Sequence, residues 1–91
     1  MSKWISAKER LPECDQGLEA DGAQLLASAY VLVCGTDPNG DRVLGVARYL
    51  IDINDRSWDE WDGMMINTTD AIYCDITHWM PIPEMSEEVQ G

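Results

Sequence analysis

His78 is the sole histidine, and Cys14, Cys34 and Cys74 are the only cysteines, in a chain of 91 residues. A thiolate beside an imidazole would make a nucleophile. Cys74 and His78 stand four apart, a spacing that brings side chains together on a helix. On a strand it separates them by roughly 13 Å, too far for such a pair. Pro81 and the β-branched residues nearby favour the strand. No strand–turn–helix serine elbow is present to use His78 as a base. Zinc would need Cys14, Cys34, Cys74 and His78 together, and no two of the cysteines have the short spacing of zinc ligands.

The carboxylates offer other chemistry. Asp37-Asn39-Asp41 and Asp52-Asn54 each start like a calcium-binding loop. Neither has Gly at the sixth position or Glu at the twelfth, so both read as turns. Gly35 to Gly40 lacks the Lys of a phosphate-cradling loop and puts Asp37 where phosphate would sit. With 17 acids a glycosidase-like pair is conceivable, yet nothing in the pattern marks one acid as buried. The expectation is a protein that is not an enzyme and holds no cofactor or metal. The alternative is a small metal-binding or catalytic protein using Cys74/His78 or paired carboxylates.

The elements that must position these residues follow from pattern. Ser6-Ala7-Lys8-Glu9 fits a capping box, and Pro12 stops any helix, which predicts a short helical turn at 7–11. Residues 13–28 are mostly polar, with a further helical turn expected at Ala23 to Ser28. Ala29 to Cys34 is a compact apolar run and reads as a strand. Asp37-Pro38-Asn39-Gly40 supplies turn residues, and Arg42 to Ile51 reads as the returning strand of a hairpin. Ser57 to Asp62 is a third, short strand and Gly63 to Asp70 a loop. Ala71 to Met80 is the last strand. Its alternation places Ile72, Cys74, Ile76, His78 and Met80 on one face, with Tyr73, Asp75, Thr77 and Trp79 on the other. Cys34 and Cys74 are expected to be small buried hydrophobes. The fold class predicted is therefore α+β: a small antiparallel sheet of three to four strands with one or two short helical turns. Residues 1–83 form a single small domain and 84–91 a flexible acidic tail.

Six Lys and Arg against 17 Asp and Glu give a formal net charge of −11. Residues 57–91 hold eight acids and no Lys or Arg. Direct binding to nucleic-acid phosphates is disfavoured. A chain of this mass buries about 64% of its unfolded surface, enough for one small core. No run approaches the 18 apolar residues of a membrane span, and Met1 to Ser6 has no apolar core of a signal peptide. An odd number of cysteines fits reduced thiols in a cytosol.

Two motifs then stand out together. Trp4-Ile5-Ser6-Ala7-Lys8-Glu9-Arg10-Leu11-Pro12 opens the chain, and Ile76-Thr77-His78-Trp79-Met80-Pro81-Ile82-Pro83-Glu84 comes near its end. Between them lie Tyr30-Val31-Leu32-Val33 and Ala47-Arg48-Tyr49. The sequence resembles the small family called domain of unknown function 551, found mainly in phages and prophages of enterobacteria. The resemblance spans nearly the whole chain, and residues 13–28 depart from it by their length. It brings no reaction, cofactor or catalytic residue. It implies a phage or prophage origin and a bacterial host cytoplasm. Trp4 and Trp79 are large amphipathic rings suited to closing the two ends of a small core.

These readings converge on an acidic interaction module. The partner expected is a host protein with a basic surface, such as a nucleic-acid-binding defence complex, with anti-CRISPR action or nucleic-acid mimicry as the form. An even spread of the charge gives about one per 480 Å². B-DNA carries about one per 107 Å², so mimicry requires clustering. The residues expected to bind are Asp59, Glu60, Asp62, Asp70 and Asp75, with Trp58 and Trp61, on one negative face. A virion or assembly component is the remaining reading.

Overall fold

The structure is a computed structural model and describes residues 3–83. Seven strands form one antiparallel sheet: β1 (Ile5–Ser6), β2 (Cys14–Ala20), β3 (Ala23–Ser28), β4 (Val31–Thr36), β5 (Arg42–Asp52), β6 (Asp59–Met65) and β7 (Asp75–Pro81). A single 3-10 turn over Ala71–Tyr73 precedes β7. This overturns the α+β expectation of three to four strands. The tail predicted at 84–91 lies outside the described residues.

The expected central hairpin is present. Val31 stands opposite Ala47, and Thr36 opposite Arg42. Its turn is held by Asp37, whose Oδ1 accepts the N–H groups of Asn39 and Asp41 at 3.0 Å each. Gly40 closes the turn at φ +87°, a conformation that favours a residue without Cβ. Asp37 is nonetheless buried, because its second oxygen accepts Asn67 Nδ2 at 3.0 Å from the loop after β6.

Residues 14–28 form a second hairpin, where a polar segment and a helical turn were expected. Asp21 and Gly22 take φ of +50° and +80° between Ala20 and Ala23, which face each other. An Asp-Gly pair in this conformation matches the right-handed twist of the flanking strands. The local turn chemistry outweighs the helix-forming Ala and Leu of Ala23–Ser28. The N-terminal motif also makes less helix than expected. Ser6 Oγ accepts the Lys8 N–H, and the Ser6 carbonyl accepts Glu9 and Arg10, but the chain leaves after one turn. Pro12 ends it.

β5 is the hub of the sheet. It pairs with β6 along one edge and with β4 and then β3 along the other. From Ala27 opposite Leu50 to Val31 opposite Ala47, four steps on one strand match three on the other. The extra residue is a bulge, and it reverses which face the odd-numbered residues occupy. Its backbone is satisfied by side chains. The Tyr49 N–H donates to Ser28 Oγ at 2.9 Å, the Ser28 hydroxyl donates to the Ala29 carbonyl, and the Cys14 thiol donates to the Tyr49 carbonyl at 3.4 Å.

A second bulge corrects the last strand. His78 stands opposite Cys34, yet Ile76 stands opposite Gly35, so Thr77 is the extra residue. Ile76 and Trp79 therefore share the core face, while His78 and Met80 point the other way. The simple alternation over 71–80 fails, and its first residues are 3-10 turn. Gly35 permits this packing, because a Cβ there would strike the Asp75 backbone carbonyl. β6 runs on to Met65, through residues expected to be loop.

Two apolar clusters result, on opposite faces. Val31, Val33, Val43, Ala47, Met65, Ile76 and Trp79 lie under Ala7, Ala71 and Cys74. Trp79 is buried and donates its Nε1–H to the Arg10 carbonyl at 2.8 Å. Trp4 is half-buried. Leu25, Ala27 and Leu50 form the smaller cluster with Leu18, Ala23 and Trp58.

Candidate interaction surface

β5 alternates cleanly, so Leu44, Val46, Arg48 and Leu50 share a face. Leu50 is closed over by the smaller cluster. Leu44 and Val46 are not, with 43% and 42% of their surface exposed. The register extends them into two rows across the sheet. Met64, Val46, Leu32 and Met80 stand side by side from β6 to β7. Ile66, Leu44, Cys34 and His78 form the next row, joined at one end by the Ile66 N–H to Leu44 carbonyl bond of 2.7 Å. Met64 and Ile66 are 53% and 79% exposed. Exposed apolar side chains gathered in this way on one face often mark an interaction site.

The expected acids are divided between the faces. Asp62 borders the open apolar rows, bonded to Arg48 Nε at 2.9 Å. The Arg48 guanidinium lies over the Tyr30 ring at 5.2 Å. Asp70 also borders them, opposite Met64. Glu60 follows Asp62 on the same side of β6. Asp59 and Trp61 point to the other side. There Trp61 meets Tyr49 edge-on, with ring centres 5.0 Å apart, and Asp59 accepts the Tyr49 hydroxyl. Asp59, Glu60, Trp61 and Asp75 line one hollow with Leu11 and Tyr49. Trp58 packs on the smaller cluster. Asp59, Trp61 and Asp75 are thus brought together, Glu60 borders their hollow from the opposite side of β6, and Asp62, Asp70 and Trp58 are not with them. The open apolar rows were missed, because Leu44 and Val46 read as ordinary strand residues and Met64 as part of a loop, until the sheet sets them side by side with no second layer over them.

The thiols are half-buried, not buried as expected for Cys34 and Cys74. Burial pushes all three thiols above their ordinary pKa. Asp15 adds to the shift at Cys14 and Asp37 to that at Cys74. A protonated thiol is a poor nucleophile and a poor metal ligand. The neighbour of His78 is Cys34 across the sheet, not Cys74. His78 Nδ1 lies 2.9 Å from Thr77 Oγ1. Among the described residues no three His, Cys, Asp or Glu gather into a group that could hold a metal, and no helix is long and apolar enough to cross a membrane.

A family model described as "Protein of unknown function (DUF551)" matches residues 3–87. No curated protein and no solved structure matches.

Proposed function

The chain belongs to the DUF551 family, whose description names no activity, and from that premise we propose a non-enzymatic interaction module that docks on a protein partner through the open apolar face of its sheet. The observation that carries this reading is the pair of cross-strand rows around Leu44, Val46, Met64 and Ile66, exposed side by side. Burying such side chains is favourable by roughly 1.5–3 kcal/mol each when burial is complete. The partner is a bacterial host protein with a basic surface, met in the host cytoplasm. Charge then has a supporting role. A chain at −11 steers toward a basic partner and quickens encounter. The division of the acids between two faces, with Asp62 bonded to Arg48, favours steering over imitation of a phosphate array. The raised thiols favour no catalytic use of Cys74 or His78.

Co-purification from a bacterial lysate tests the reading. Wild-type protein should retain a partner that the Leu44→Ser/Val46→Ser/Met64→Ser variant loses, with folding intact by circular dichroism. The triple reversal of Asp59, Glu60 and Asp62 to Lys should chiefly slow association. A partner kept by the apolar variant and lost on charge reversal would instead make the acids the recognition surface.

A further inference from the structure

β1, β2 and β6 each have a single neighbour in the sheet and so present an open edge. β1 is two residues long, and β2 is broken by a bulge at Asp15, a common protection of an edge. β6 has neither feature. Its pairing with β5 is continuous from Asp59 to Met65. The Trp58 carbonyl accepts the Asp52 N–H and the Ile66 N–H donates to Leu44, so the even-numbered residues bond inward to β5. In an antiparallel pair the alternate residues then turn their backbone groups outward. The outward N–H of Met65 is taken by the Thr69 carbonyl at 2.9 Å. The segment after β6 also bridges Asp70 to Met64, so it lies along this edge from Gly63 to Met65. The outward N–H groups and carbonyls of Asp59 and Trp61 have no partner among the described residues.

Charge selects what this edge can receive. Asp59 projects to one side of β6, and Glu60 and Asp62 to the other. A second copy laid antiparallel on the same edge would set these acids against their own kind, which is destabilising. A strand carrying Lys or Arg would find an acid on whichever side each cation points. Trp61 adds an aromatic ring within reach of a cation on the hollow side. We infer that the outer edge of β6 accepts an extended Lys- or Arg-rich segment of a partner protein as an additional strand. This is separate from docking on the apolar face and does not depend on it.

The probe is a synthetic peptide of about eight residues alternating Lys and Thr, long enough for one added strand. On binding it should slow hydrogen exchange at the Asp59 and Trp61 amides of the wild-type protein, and leave the β2 edge unchanged. Asp59→Pro removes one outward N–H, and Asp59→Ala keeps it while removing the same carboxylate. The proline variant should bind the peptide about tenfold more weakly than the alanine variant, the effect of roughly one lost backbone hydrogen bond. The Leu44→Ser/Val46→Ser/Met64→Ser variant should bind it as wild type does. Unchanged exchange at the two amides, or loss of binding in the apolar variant, would overturn the inference. So would concentration-dependent protection of those amides without peptide, which would mean that a second copy occupies the edge.

Discussion

On one face of the sheet Val33, Ala47 and Trp79 lie under Ala7, Ala71 and Cys74. On the other, Leu44, Val46 and Met64 present similar side chains with no cover. The contrast is not one of composition, since both faces are apolar across β4 and β5. It comes from where the connections run. The N-terminal turn and the loop after β6 both cross the first face. The second face gets only Trp58 and the β2–β3 hairpin, and only at its far end. A sheet buries what its connections happen to cover, and the remainder stays available to a partner.

Two leucines on one strand give the largest separation of the covered from the uncovered. Leu50→Ala should destabilise the protein by about 2–5 kcal/mol, while Leu44→Ala should change stability by no more than about 0.5 kcal/mol. Urea unfolding of the two variants measures both. Equal costs would mean that the rows around Leu44 are packed after all, and the contrast between faces would fail.

A smaller effect is expected at the bulge that exchanges the two faces. Ser28→Ala leaves the buried Tyr49 N–H without its acceptor. The expected cost is about 1–3 kcal/mol. Unchanged stability would show that the bulge does not need the hydroxyl.

The thiols give the finest test. Their folded pKa values lie above the ordinary value, so the folded state holds protons that the unfolded chain has released. That contribution is complete below the ordinary thiol pKa and is lost as pH rises through the raised one. The urea midpoint should therefore fall slightly across this alkaline window, and less so in Cys14→Ser, which keeps a donor for the Tyr49 carbonyl. At neutral pH all three thiols should react more slowly with a disulfide reagent than a free cysteine does. A flat alkaline profile with prompt labelling would show thiols in water.

Much of the central hairpin was legible because its signals are local. Asp37, Pro38, Asn39 and Gly40 carry their own turn chemistry, and Val31 to Thr36 is apolar enough to read as strand on either face. The β2–β3 hairpin was legible in principle from Asp21-Gly22, but β2 is polar and the Ala and Leu of β3 favour helix, so neither strand carried a clear local signal. The last strand was misread for a different reason. Thr77 looks like any β-branched strand residue, and only its pairing with β4 makes it a bulge.

The candidate site divides in the same way. The acids and tryptophans of 58–75 were visible as types, and alternation alone would place Asp59 and Trp61 opposite Glu60 and Asp62. The sequence by itself determined the charge, the apolar strand segments, the tight turns and the kinship carried by its two end motifs, since each depends on residue type or on neighbours a few positions away. Only the tertiary structure decided that Cys34 stands beside His78, that one extra residue near Ser28 moves the core from one face to the other, and that Leu44, Val46 and Met64 are left bare. Those outcomes depend on which strands pair, in what register, and where the connecting loops lie. They are settled by contacts between residues far apart in the chain, which no local pattern encodes.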